Sequence, residues 1–125
     1  MKAAYDTTLN PPAPFLPVRV SNLTDILEPQ SVAAKIDTGS DVTGIPARLV
    51  GQLSLMPVDE ILVEGYDGRQ ATIACYDVNL RIDHLSVAGL SVITIAEDYV
   101  LLGRDVLNRL RMLLDGPALM TEILT

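Results

Sequence analysis

The sequence predicts an all-β domain with one short helix near its C-terminus. Three observations carry this reading. The apolar segments are short, rich in β-branched residues and separated by turn formers. The stretch Ala71–Ile82 alternates, with Tyr76, Val78, Leu80 and Ile82 on one face and Asp77, Asn79 and Arg81 on the other. Between two apolar runs stands Asp67-Gly68, a strong short-range hairpin signal.

The elements follow in order. Phe15–Val20 reads as a first strand, entered from a proline-containing arm over residues 1–14 that holds Pro11, Pro12 and Pro14. Asn22–Gln30 is polar, contains Pro29 and reads as a loop. Ser31–Ile36 is a second strand, running into the turn formers Asp37-Thr38-Gly39-Ser40. Ile45–Leu53 suits a short helix and a strand equally. Val58–Val63 and Ala71–Ile82 form the arms of the Asp67-Gly68 hairpin, and Leu85–Ile95 is a further strand interrupted by Gly89. Tyr99–Leu102 is a buried-type run ending at Gly103, after which Asp105 is placed to cap a helix over Val106–Leu110. Arg111–Leu114, Asp115-Gly116-Pro117 and Ala118–Leu124 read as strand, turn, strand. Residues 15–125 therefore make one domain, with no repeat and no linker.

Composition removes several classes of function. The chain has 125 residues, 49% of them hydrophobic, so a core is attainable without a disulfide or structural metal. Its one cysteine, Cys75, and one histidine, His84, cannot build a Cys/His zinc site, and neither lies in a recognisable nucleophile motif. Cys75 suits a small core residue and His84 a surface loop. A net charge of −7 argues against nucleic-acid and anionic-membrane partners. The first residues lack the apolar core of a signal peptide, and no run approaches the ~18 apolar residues of a membrane span. A soluble, cytoplasmic protein is expected.

The chemistry concentrates in Ala33-Ala34-Lys35-Ile36-Asp37-Thr38-Gly39-Ser40, where a strand delivers a carboxylate onto a tight turn. Gly39 permits close backbone approach, and its N–H is placed to donate to the Asp37 carboxylate. Ser40 offers a hydroxyl, either to that carboxylate or to the turn's own backbone. Asp-Thr-Gly alone arises by chance in roughly one chain in forty of this length, and in isolation reads best as a plain turn. Two further features change that: Val100-Leu101-Leu102-Gly103-Arg104-Asp105-Val106-Leu107 downstream, and the Asp67-Gly68 hairpin between the two.

With these three in this order, the sequence resembles the retroviral-type (retropepsin-like) aspartic peptidases and their single-domain bacterial relatives, from about Phe15 to Leu124. The resemblance implies a retropepsin-like acid-protease barrel, dimeric, with terminal strands pairing between two chains. One Asp-Thr-Gly per chain implies a homodimer, because the chemistry needs two carboxylates. Two carboxyls ~3 Å apart share one proton and so supply both base and acid, a property established for aspartic proteases as a class. The implied function is endopeptidase cleavage of a peptide or protein substrate, needing no cofactor and no metal. Asp37 would hold the attacking water, and Thr38 would lock two active-site loops together. Gly39 and Asp41 would contact the substrate backbone, and Arg104, followed by Asp105, would support the loop from beneath by pairing with Asp41. Gly65, Tyr66, Asp67 and Gly68 would form the tip of a flap over the substrate. Tyr66 and Asp67 depart from the glycine-rich tips common in the family. An alternative on the same scaffold is a dimeric peptide-binding or assembly module without turnover.

Overall fold

The structure, a computed structural model, describes residues 1–65 and 67–125. The apolar alternation of the sequence closes on itself as a barrel. Strands β2 (Phe15–Ser21), β3 (Gln30–Ile36), β4 (Gly44–Pro46), β6 (Gln70–Ile82), β7 (Leu85–Ile95) and β8 (Val100–Leu102) hydrogen-bond in the order β2-β3-β8-β4-β7-β6. A last pairing, Arg19–Ser21 of β2 against Asn79–Arg81 of β6, joins the two ends. Most of these neighbours are antiparallel, but β3 runs parallel to β8 and β4 parallel to β7. The period-2 pattern decides which side chains point inward. Leu16, Val18 and Val20 of β2 meet Val78, Leu80 and Ile82 of β6 inside, with Val100 and Leu102 of β8. Fully burying one such side chain contributes roughly 1.5–3 kcal/mol.

Local sequence explains the departures from a regular ladder. Pro17 lacks an N–H and lies where β2 is paired on one edge only, opposite Ala33. The register of β6 and β7 slips between Val78 and Leu80, where Gly89 adopts φ +65° and donates its N–H to Asn79 Oδ1 at 3.1 Å. Gly89 therefore interrupts β7 as a bulge and does not break it. The β6–β7 turn is Asp83-His84, with Asp83 in the left-handed region and His84 exposed. Strand β5 (Asp59–Glu64) pairs only with β6, and the hairpin runs beyond Cys75, the last β6 residue matched to β7. At its tip Gly65 N–H donates to the Arg69 carbonyl at 2.9 Å, and Gly68 takes φ +78°. The hairpin read from Asp67-Gly68 is thus present. The expectation for Tyr66 lies outside the described residues.

The ambiguous stretch Ile45–Leu53 divides between both alternatives: β4, then helix α1 (Arg48–Gln52). The C-terminal helix α2 spans Arg104–Leu107, not Val106–Leu110, and its N-cap is Gly103, without a side-chain cap. Asp105 is thus no cap, for a reason given below. Strands β9 (Arg111–Asp115) and β10 (Met120–Leu124) follow as a hairpin.

The N-terminal arm holds a strand, β1 (Lys2–Ala4), which pairs with β10 inside the same chain. The resulting sheet has the order β1-β10-β9. Both edges of β10 are therefore occupied, so the terminal pairing between chains expected from the resemblance is not open to β10. Only the outer edges of β1 and β9 remain.

The inward-facing residues set a stability test. Leu102 is fully buried between β3 and β4, so Leu102→Ala is expected to lower unfolding free energy by about 2–5 kcal/mol in urea denaturation. Leu62, 65% exposed on β5, should give about 0.5 kcal/mol or less when changed to alanine. Equal losses at the two positions would contradict the barrel interior described.

Candidate active site

Asp37 leaves the C-terminal end of β3 beside β8, and its N–H donates to the Leu102 carbonyl at 3.0 Å. The parallel ladder thus extends one residue past β3 and fixes where the carboxylate begins. The side chain is half-buried, and its Oδ1 accepts the Gly39 N–H at 2.9 Å. A Cβ on Gly39 would stand 3.2 Å from that oxygen, so glycine suits the close turn. Ser40 N–H returns to the Asp37 carbonyl at 3.3 Å. Thr38 and Gly39 are exposed.

The loop is held from below by the residues after β8. Gly103 packs directly under it: a Cβ there would lie 2.7 Å from the Val42 carbonyl carbon and 3.0 Å from the Ser40 oxygen. Gly103 N–H donates to Thr43 Oγ1 at 3.1 Å, and Arg104 N–H donates to the Ser40 carbonyl at 2.8 Å. Thr43 is fully buried. Its hydroxyl donates to Asp105 Oδ1 at 2.7 Å and its N–H to Asp105 Oδ2 at 3.0 Å. Asp105 therefore faces away from its own helix and clamps the far end of the loop. A carboxylate with two donors elsewhere is not free to cap α2.

The Arg104 side chain reaches the same loop. One guanidinium nitrogen donates to the Thr38 carbonyl at 2.7 Å, and another pairs with Asp41. The setting differs from a buried ion pair, because Arg104 is 45% and Asp41 79% exposed. For Ser40 the sequence left two acceptors open, the Asp37 carboxylate and the turn's own backbone. Its hydroxyl donates to the Val42 carbonyl at 2.7 Å, so it braces the loop's backbone instead of serving the Asp37 carboxylate.

The structure thus brings together Asp37, Thr38, Gly39, Ser40, Asp41, Arg104 and Asp105. Gly65, Asp67 and Gly68 lie at the tip of the separate β5–β6 hairpin. Among the described residues they make no hydrogen bond to the loop. Sequence reasoning missed Thr43; its signal was a hydroxyl residue between the Asp-Thr-Gly turn and an apolar strand, too common to single out.

Cys75 is buried on β6, and burial, then the nearby Asp59 and Asp77 carboxylates, push its thiol pKa up. Such a thiol stays protonated at neutral pH and is a poor nucleophile. Seven rises of strand lead from it to Ile82, so His84 lies on the order of 20 Å away and cannot serve it as a base. Among the described residues no helix is long and apolar enough to cross a membrane.

No family model and no curated protein matches the chain. Solved structures do. The simian foamy virus (mac) protease superposes with a TM-score of 0.59 at 17% identity, over 75% of this chain and 91% of that one. The EIAV protease bound to the inhibitor HBY-793 gives 0.57 at 15% identity, over 78% of this chain and 86% of that one. The prototype foamy virus protease–reverse transcriptase gives 0.58 at 18% identity, over 90% of this chain and 12% of that one.

The two kinds of loop support predict different losses. Gly103→Ala drives a Cβ into backbone and should cost about 1–3 kcal/mol of stability or more. Arg104→Ala removes a solvated pair and should cost about 1 kcal/mol or less. Chemical denaturation of both variants checks this, and a larger loss for Arg104→Ala would refute the ranking. The closed six-strand ring, the Asp37 loop seated on Gly103 and the structural neighbours together establish that this chain has the retropepsin-like fold.

Proposed function

We propose that this chain is one subunit of a homodimeric aspartic endopeptidase, in which Asp37 of each copy contributes half of the catalytic pair. The observation that carries this reading is the Asp37 loop. A half-buried carboxylate sits at the end of a core strand, with one oxygen oriented by Gly39 N–H and the exposed Thr38-Gly39 backbone beside it. The loop is braced by Gly103, Arg104 and Asp105, so the carboxylate is held in place before any substrate arrives.

The chemistry follows from two such groups. One carboxylate takes a proton from a water held between the pair, and the water oxygen attacks the peptide carbonyl. The protonated partner delivers its proton to the carbonyl oxygen, and the leaving nitrogen is protonated as the C–N bond breaks. An extended peptide would lie across Gly39 and Asp41. The β5–β6 hairpin, with Gly65, Asp67 and Gly68 at its tip, would close over it as a flap.

Asp37→Asn keeps the size of the side chain and removes its titration. The expected result is a folded protein with cleavage of a denatured substrate reduced to background. Specific activity of the wild type should also fall on dilution below the dimer dissociation constant. Substantial cleavage by Asp37→Asn, or full activity in a species shown to be monomeric by sedimentation, sinks the proposal. A wild type that binds extended peptides and leaves them intact would point to a binding module on the same fold.

Ser40 gives a finer test. Since its hydroxyl is engaged at the Val42 carbonyl, Ser40→Ala should leave both limbs of the kcat/KM-against-pH profile in place while lowering thermal stability. A displaced basic limb would return Ser40 to the carboxylate.

A further inference from the structure

At the other end of β3, strand pairing assembles a row of donors that the peptidase reading does not use. Ser31 of β3 is opposite Arg19 of β2, Arg19 is opposite Arg81 of β6, and Arg81 is opposite Ser86 of β7. All four are exposed on the outer face of the barrel. The next row sets Ser21 opposite Asn79. Asn79 spends its carbonyl oxygen on the Gly89 N–H, which leaves its NH2 group as a donor. Arg19, Ser21, Asn79, Arg81 and Ser86 line one cavity of about 310 Å³.

Residues directly opposite on antiparallel strands have Cβ atoms about 5 Å apart, and like charges there repel. Neither Arg19 nor Arg81 makes an ion pair or side-chain hydrogen bond among the described residues. Asp25 lines the same cavity without pairing to either guanidinium. Two cations against one carboxylate leave this spot locally positive on a chain of net charge −7. A repulsive pair of fork-shaped donors, flanked by hydroxyls and an amide, has the arrangement that an oxyanion would satisfy. The overall negative charge disfavours a long polyanion, and the cavity suits a small one.

We infer that the Arg19–Arg81 cavity is a binding site for a small oxyanion of the phosphate class. Phosphate oxygens would accept paired N–H bonds from both guanidiniums, with Ser86 and Asn79 completing the shell. From Ser31 to Asp37 is six residues of strand, so the site lies on the order of 20 Å from the Asp37 loop. It is independent of the peptidase proposal.

The test is a titration of the full chain with inorganic phosphate at constant ionic strength, chloride replacing phosphate, read by melting temperature and by amide shifts of residues 19–21 and 79–86. Saturable binding is expected, with a rise in Tm and shifts confined to those residues. Arg81→Gln and Arg19→Gln should each weaken binding by roughly tenfold or more, the loss of a charge-assisted contact. Arg109→Gln, an exposed charge outside the cavity, should leave binding unchanged. Without phosphate at low salt, Arg81→Gln should melt no lower than the wild type, because a repulsion is relieved. No response beyond that to chloride, or phosphate binding by both cavity variants as tight as that of the wild type, would overturn the site.

Discussion

The closeness of Gly103 to the loop above it is the constraint on which the rest of this site depends. With no side chain there, the Val42 carbonyl and the Ser40 oxygen settle directly over the turn that leads into α2. That contact lets Arg104 N–H reach the Ser40 carbonyl and Gly103 N–H reach Thr43. It also puts the Arg104 side chain within reach of both the Thr38 carbonyl and Asp41. Any larger residue would lift the loop by the thickness of a methyl group and stretch these bonds together. Because Asp37 is tied to Leu102 through its own N–H, a lifted loop would also turn the carboxylate.

The barrel supplies the platform for that contact. Parallel pairing of β3 and β8 brings Asp37 and Gly103 to the same end of the same ladder, although they are far apart in sequence. A short parallel pair has no hairpin to fix its register, so side chains must do so. Thr43 and Asp105 meet this need from the two sides, joining the start of β4 to the first turn of α2. Elsewhere the long β6 strand does two jobs. Its C-terminal half closes the barrel against β2 and β7, and its N-terminal half continues outward as one arm of the β5–β6 hairpin.

What the sequence revealed and concealed follows physical lines. Strands with clear alternation were legible almost to their ends, because one buried face imposes a period of two: Leu85–Ile95 falls where it was expected. So were Asp37-Thr38-Gly39-Ser40 and Gly103-Arg104-Asp105, since turns and close approaches demand particular residue types. Features set by distant partners were not legible. Asp105 sits where an N-cap is expected, and only the fold shows that Thr43 draws it away. Ser40 has two possible acceptors in sequence, and the chain's path selects Val42. The arm over residues 1–14 carries no alternation long enough to reveal β1, whose partner is at the other end of the chain. Ile45–Leu53 was ambiguous because it holds both a strand and a helix, each too short to express its own period.

The local electrostatics bear on why one copy of this loop is not enough for the proposed chemistry. Peptide hydrolysis by an activated water needs a base and an acid at the same point. Asp37 supplies one carboxyl. Asp41 is turned to Arg104 and Asp105 to the two donors of Thr43, and neither carboxylate is hydrogen-bonded to Asp37. His84 lies at the far β6–β7 turn, and Cys75 is buried with its thiol protonated. Among the described residues the chain thus offers no second acid beside Asp37, and under the peptidase reading that group must come from another molecule. A second copy brings an identical carboxylate on an identical brace, and the exposed Thr38-Gly39 backbone leaves room for the approach. Since β10 is already paired on both edges, any strand pairing in such an association would fall to the free edges of β1 or β9, where Leu113 and Leu114 stand about half exposed. Activity and assembly would then be one property: separating the subunits would remove half of the catalytic pair while leaving each barrel folded.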